Sequence, residues 1–378
     1  MQEFELDSTG KWRYIAISHV ILPNLSPFAH NRRIARTAPT RSDLPPDGST
    51  DARLGRIVHL LSDNATVVIS GTRIAEELGT TRSEVWRAVQ HLRELGLQIT
   101  GHPATGYQLE SVPDLLLPDI LSPMLKGTIF AARIHHYFRI GSTNVTAMQA
   151  ASDGEPEGAV FLAEEQTAGR GRAGHSWESA QSVGIYCSVV LRPMLSPADA
   201  LLLSLIAGIA VAEAVEQATG LHPDLRWPND ALLGERKFCG ILTEMNSEPT
   251  RVHYVVVGIG INVNQALFAG ELEPIATSLR MESGRTWSRG ELAAALLNSL
   301  DSEYRKLTQG GPTACSSILR RFEERSSYAR SRQVHVEASG GGYDGVTEGL
   351  DARGFVLVRT ESGLRTVLSG DVRALSGK

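Results

Sequence analysis

The sequence predicts an α+β chain of three parts: a winged helix-turn-helix in front, a mixed α/β domain in the centre and a small β-barrel at the end. Three changes of pattern predict it. Helix-spaced apolar runs followed by two extended pieces occupy residues 51–112, apolar strands alternate with helical runs over 127–328, and short strands broken by glycine turns fill 330–378. Residues 1–50 fit none of these. The segment 31–50 holds Arg32, Arg33, Arg36 and Arg41, then Pro45, Pro46 and Gly48, with no period of 2 or 3.6, and reads as a flexible extension.

In the first unit Leu54, Ile57, Val58, Leu60 and Leu61 stand at helical spacing, and residues 67–69 form a short extended piece. Ser70 caps a second helix carrying Ile74, Ala75 and Leu78, which Gly79 ends. Thr80 and Thr81 open a third helix through Val85, Val89, Leu92 and Leu95, closed by Gly96. Residues 97–100 and 107–110 make a two-stranded wing, which leaves the third helix in the recognition position. Pro113, Pro118 and Pro123 punctuate a connection. In the centre, 159–163, 184–191, 238–244 and 253–263 predict strands, and 201–218, 292–307 and 315–324 predict helices. The tail strands are 334–336, 345–350, 354–359 and 364–368.

A net charge of −5 excludes a chain coated in basic surface for bulk nucleic-acid binding, while leaving room for one small DNA-reading unit. Cys187, Cys239 and Cys315 stand far apart, so neither a disulfide framework nor a fixed metal site is expected. The start carries Glu3, Glu5 and Asp7 rather than a basic leader. The longest apolar run, 200–212, is shorter than the ~20 residues of a bilayer span and reads as a buried helix. A reduced, cytoplasmic protein without a membrane partner is expected.

The segment richest in chemistry is 163–177, where Gly169, Arg170, Gly171, Arg172 and Gly174 precede Trp177. Glycines let backbone approach a ligand, and arginine forks hold carboxylate or phosphate oxygens at two points. Such a loop suits the meeting of two anions, and a tryptophan offers a flat face for a base. A bare glycine–arginine triplet would read as a solvated surface loop; the longer ordered pattern favours function.

This stretch resembles the G-R-G-R-x-G-R-x-W loop of bacterial bifunctional biotin protein ligases, which are also repressors of the biotin operon. Further segments resemble that family in the same order: Gly141-Ser142-Thr143-Asn144, Arg226-Trp227-Pro228-Asn229-Asp230, Lys237-Phe238-Cys239-Gly240-Ile241-Leu242, Gly258-Ile259-Gly260-Ile261-Asn262 and Ser369-Gly370-Asp371-Val372. The resemblance covers about residues 51–375. It implies a catalytic domain of the biotin/lipoate ligase type and an SH3-like C-terminal barrel. It also implies biotin and ATP with Mg²⁺ as substrates, the biotin carboxyl carrier protein of acetyl-CoA carboxylase as acceptor, operator DNA as a second partner, and a homodimer promoted by ligand.

By that resemblance Ser142, Thr143, Asn144, Gln166, Arg170, Gly171, Arg172 and Lys237 bind biotin. Gly169, Trp177, Asn229, Asp230 and Asn262 face the nucleotide, and Lys237, Arg170 and Arg172 carry the catalysis. Ser142 and Thr143 suit a ureido ring but are equally suited to capping a helix. Asp230 suits a ligand, a water-held Mg²⁺ or a plain turn. Lys237, at the head of an apolar strand, either stabilises a reacting phosphate or snorkels to solvent. Trp177 is expected to stack on adenine. Ala173, His175 and Ser176 make the loop less basic than its relatives, which implies looser retention of the adenylate.

The recognition-position helix carries Thr81, Arg82, Ser83, Arg87 and Gln90, types that reach bases and phosphates. Over 51–110 six arginines face seven acidic residues, so the unit is not basic overall. Two rivals remain: a lipoate or octanoate ligase, whose R-R-x-x-G-G-G-A-V segment is absent, and a non-catalytic biotin-sensing transcription factor, which would have no need of Arg170, Arg172 and Lys237.

Overall fold

The computed structural model describes residues 3–6, 12–15, 48–64, 67–102, 105–111, 113–337 and 341–375. Strands β1 (Glu3–Leu6) and β2 (Trp12–Ile15) pair antiparallel where no regular element is expected; the rest of 1–47 lies outside the described residues. The winged unit follows as α1 (Gly48–Asp63), α2 (Gly71–Leu78), α3 (Arg82–Glu94), β3 (Ile99–His102) and β4 (Gly106–Leu109). Ser70 caps α2, and Gly79 ends it at φ 62°. Thr81 and Glu84 close a reciprocal capping box at the start of α3. Leu54, Ile57, Val58, Ile74, Val85, Val89 and Leu92 form its core, and Phe138 of the next domain packs into the same cluster.

The central domain runs α4 (Pro118–Met124), β5 (Ile134–Tyr137), α5 (Thr143–Ser152), β6 (Val160–Ala163), β7 (Gly184–Leu191), α6 (Leu201–Thr219), β8 (Asp224–Arg226), β9 (Asp230–Leu233), β10 (Arg236–Glu248), β11 (Arg251–Asn262), α7 (Leu279–Ser283), α8 (Arg289–Gln309) and α9 (Ala314–Glu324). Its seven strands lie in the order β5-β6-β7-β11-β10-β9-β8. Only β5 and β6 are parallel. The strand period of two divides the sheet. Ile185, Cys187 and Val189 of β7 and Val255, Val257 and Ile259 of β11 join the core around α6, whereas Val190, Tyr254 and Val256 pack with Ala147 and Ala151 of α5. Helix α6 meets the length and composition of a membrane span, yet it is buried against the sheet, α8 and α9.

The tail forms β12 (Arg330–Glu337), β13 (Tyr343–Leu350), β14 (Val356–Thr360), β15 (Gly363–Val367) and β16 (Asp371–Ala374), an antiparallel sheet in the order β15-β14-β13-β12-β16. Its ladder does not close between β15 and β16 among the described residues, so the expected barrel is here a five-stranded sheet. Trp227 Nε1 donates to Gly354 O at 2.8 Å and fastens this sheet to the central domain.

Candidate functional site

On the α5 side of the central sheet lies a cavity of about 400 Å³. Its wall exists because glycines occupy the inward positions of neighbouring strands. Gly240 of β10 stands opposite Gly260 of β11, and Leu242 opposite Gly258. A Cβ at Gly260 would stand 2.5 Å from Trp177 Nε1, and one at Gly240 would stand 2.9 Å from the indole ring. A Cβ at Gly258 would collide with the Asn144 amide.

One end of the cavity is a closed hydrogen-bond network. The Thr143 backbone N–H and hydroxyl donate to Gln166 Oε1 at 2.8 and 3.0 Å, and Gln166 Nε2 donates to Ser179 Oγ at 2.9 Å. Ser188 Oγ lies 2.8 Å from Thr143 Oγ1 and 2.7 Å from Asn144 Oδ1, and Asn144 Nδ2 donates to Glu244 at 2.8 Å. Ser142 takes the N-cap position of α5 but makes no capping bond, so its hydroxyl is not committed to the helix. The structure brings Ser142, Thr143, Asn144 and Gln166 together around one buried, pre-set polar end.

The other end is cationic. A register shift between Lys237 and Cys239 lets Phe238 and Cys239 both enter the core and turns Lys237 toward the cavity. Lys237 Nζ and Arg226 Nη2 each reach Asp230 at 2.5 Å. Burial alone would raise the Asp230 pKa; Lys237 and Arg226 more than offset it and hold the carboxylate below its usual range. Arg172 donates to Asn229 Oδ1 at 2.8 Å and lies 3.7 Å from Asp371. Burial lowers the Arg172 pKa, and Asp371 and Asp230 act against that shift. Five Lys and Arg face three Asp and Glu around the cavity, a balance suited to an anionic ligand.

The loop carrying Arg170 and Arg172 is a defined hairpin. Trp177 N–H donates to Gly169 O at 2.9 Å, and Gly171 N–H to His175 O at 2.7 Å. Arg170, Gly171, Arg172 and Trp177 line the cavity, with Arg170 exposed. Trp177 lies against the Gly240–Gly260 wall, with Lys237 Nζ 5.5 Å from its ring centroid. That contact with protein backbone was not foreseen for a residue expected to stack on a base.

Two residues expected on the nucleotide side lie outside the cavity lining. Asn262 does not line the cavity: it is buried, its amide donates to Thr277 O at 3.1 Å, and its carbonyl accepts from Gln265. Gly169 does not line it either, because it packs under the Trp177 carbonyl and the Ser179 hydroxyl. Asn229 lines the cavity, and its amide there also accepts from Arg172 and donates to Ile241 O, so it positions Arg172. On α3, Arg82, Ser83 and Arg87 are exposed, while the Thr81 hydroxyl is used in the capping box and Gln90 accepts from Arg93 at 3.4 Å.

Sequence reasoning missed Ser188, Arg226, Asp371 and Arg373 in the lining. A lone serine in the apolar run 184–191 was a legible signal. The placement of Asp371 was not, since it reaches the cavity from β16 of the C-terminal sheet.

Residues 138–262 match the Biotin/lipoate A/B protein ligase family, residues 53–108 an HTH domain and residues 332–373 the Biotin protein ligase C terminal domain. The Bifunctional ligase/repressor BirA of Bacillus subtilis (strain 168) is 33% identical over 320 residues, which are 84% of this chain and 97% of that one. The chain belongs to the bifunctional biotin ligase/repressor family. The family's Escherichia coli (strain K12) BirA is 28% identical over 310 residues, covering 82% of this chain and 94% of the relative. A biotin protein ligase from Aquifex aeolicus, solved in complex with biotin and ATP, superposes with a TM-score of 0.56 at 29% identity over 65% of this chain and 100% of that one.

In this member of the family the base of the loop is anchored by a buried ion cluster. Glu164, two residues before Gln166, accepts from Arg289 at 2.7 Å, His136 at 3.0 Å and Leu116 N–H at 2.9 Å. Burial would raise its pKa, but Arg289 and His136 hold it down at about 2. Arg289 is fully buried and also bonds Gly184 O and the Asp114 backbone. The connection after the winged unit is thereby tied to the strand that leads into the loop carrying Arg170 and Arg172.

Proposed function

We propose that this chain condenses biotin with ATP to biotinyl-5′-AMP and then transfers the biotinyl group to a lysine of a biotin carboxyl carrier protein. The observation that carries the reading is the convergence of Arg170, Arg172 and Lys237 on one cavity whose far end is lined by hydroxyls and amides, with the Glu244 carboxylate behind Asn144. A neutral ring suits that end. A carboxylate tail and an α-phosphate suit the cations, which offset the repulsion between them. The carboxylate attacks the α-phosphorus in line and pyrophosphate leaves; the neutral carrier lysine then attacks the acyl carbon, forming the amide as the acyl C–O bond breaks, with AMP and the amine proton released. Lys237 is suited to the charge that develops on the phosphorus oxygens. Mg²⁺ accompanies ATP on its phosphates. The chain supplies position, charge and shelter from water.

The Asp230 carboxylate, paired with both Arg226 and Lys237, spaces the cations. Asp371 brings the C-terminal sheet, read as the SH3-like cap of the family, to the same cavity. The winged unit supports a second activity, repression of biotin genes at operator DNA, with a ligand-promoted homodimer as the DNA-bound form. Incubation with biotin, ATP, Mg²⁺ and a purified carrier domain should release pyrophosphate and biotinylate the carrier. Pyrophosphate with lipoate but not biotin would overturn the substrate, and no turnover with either would overturn the enzyme.

A further inference from the structure

Helix α3 carries a side chain whose exposure its packing does not require. Val85, Val89 and Leu92 turn into the winged core, while Trp86 is 55% exposed. By helical spacing Trp86 shares the outward stripe with Arg82, Ser83, Arg87 and Gln90. Arg82 and Arg87 make no side-chain ion pair or hydrogen bond among the described residues. Three other arginines of the unit are engaged, Arg93 with Ile99 O at 2.9 and 2.7 Å, Arg73 with Glu77 at 3.5 Å and Arg56 with Glu77 O, whereas Arg53 on the first helix acts on Glu84 only through its charge. Two uncommitted guanidiniums therefore flank a solvated indole on the helix that a helix-turn-helix lays in the major groove. The base edges of that groove present donors, acceptors and one apolar group, the thymine C5-methyl.

We propose that Trp86 is a base-reading residue of this unit, packing on a thymine methyl in the major groove while Arg82 and Arg87 hold adjacent phosphates. The proposal rests on the repressor reading and adds the side chain and the base it recognises. Single outward apolar residues are common on protein surfaces; here the argument comes from the two unpaired cations beside it and from its place on the recognition-position helix.

The test selects duplexes from a randomised DNA pool with the full-length chain, biotin, ATP and Mg²⁺. The enriched duplex is then remade with each thymine in turn replaced by deoxyuridine, which removes only the methyl. At one or two thymines per half-site the wild type should lose roughly five- to tenfold in affinity, within the range of a single altered base pair. Trp86→Ala should bind the thymine duplex with that same loss and be indifferent to deoxyuridine, with circular dichroism and melting unchanged. Trp86→Phe should keep part of the discrimination. Arg87→Ala should weaken all sequences alike and reduce the salt slope by about one. Wild-type indifference to deoxyuridine, or undiminished discrimination in Trp86→Ala, overturns the assignment and leaves the repressor reading standing. Failure to enrich any duplex overturns both. Normal DNA binding by Trp86→Ala with loss of self-association in sedimentation overturns it in favour of a protein contact.

Discussion

Replacing Gly260 by alanine asks whether the glycine pair exists to seat the tryptophan of the loop proposed to hold the ligands. The new Cβ would stand 2.5 Å from Trp177 Nε1, about 1 Å inside an ordinary heavy-atom contact of ~3.5 Å. Gly260 is paired on both sides, with Gly240 and with Tyr186, which leaves the backbone little room to retreat. The indole must move. Overpacking of this kind costs roughly 1–3 kcal/mol. Trp177 belongs to a surface hairpin whose registration rests on backbone bonds such as Trp177 N–H to Gly169 O. The cost should therefore appear as opening of the hairpin rather than unfolding of the sheet. That energy corresponds to a shift of about five- to 150-fold toward the open loop. Enzyme loaded with labelled biotin and ATP, then gel-filtered, should release biotinyl-5′-AMP at least about fivefold faster than wild type, with the melting temperature lowered by less than about 2 °C. The double variant Gly260→Ala/Trp177→Ala should release no faster than Trp177→Ala alone, since both remove one contact. Unchanged release by the single variant, or additive losses in the double, would refute the seat.

Lys237→Ala should lower adenylate formation about a hundredfold or more, the usual loss when one charged transition-state contact is removed; near-normal pyrophosphate release would end its catalytic role. The Glu164 carboxylate, held at about 2 against an ordinary 4.5, binds its proton more weakly folded than unfolded. It therefore adds stability above pH ~4.5 that is lost as the pH falls toward 2, on the order of 3 kcal/mol in all. Urea midpoints of the wild type should fall between pH 6 and pH 3, and Glu164→Gln, weaker at pH 6, should show a flatter profile; parallel profiles would mean that another group titrates. Asn262→Ala should cost roughly 1–3 kcal/mol of stability through the unpaired Thr277 carbonyl and Gln265 amide, without raising KM for ATP. A raised KM at unchanged stability would return Asn262 to the nucleotide side.

The long apolar elements were legible because burial on both faces leaves few compositional alternatives: α6, β7 and β11 stand out as long, largely apolar runs, and the caps at Ser70, Gly79 and Thr81 mark the winged helices. Strands β5, β8 and β9 did not stand out because they are only three or four residues long, with His or Asp among them. Helix α5 has too little contrast between its faces to announce itself. The loop glycines and arginines could be picked out from order and type, whereas Ser142, Thr143, Gln166 and Lys237 are named by the family resemblance, since each alone reads equally as a helix cap, a surface amide or a snorkelling lysine. Their chemistry depends on a few contiguous residues, and the local chain carries that information.

What only the tertiary structure decided is which remote residues oppose one another. The slip after Lys237 that turns its amine to the cavity, the pairing of Gly240 with Gly260 under Trp177, and the arrival of Asp371 from the last strand are all matters of register and docking. So is the removal of Asn262 to a structural bond with Thr277. A residue's own neighbours set its helical or extended tendency. The face it presents, and to whom, is settled only when the whole sheet packs on α5 and α6, because one residue of slip reverses every side chain beyond it.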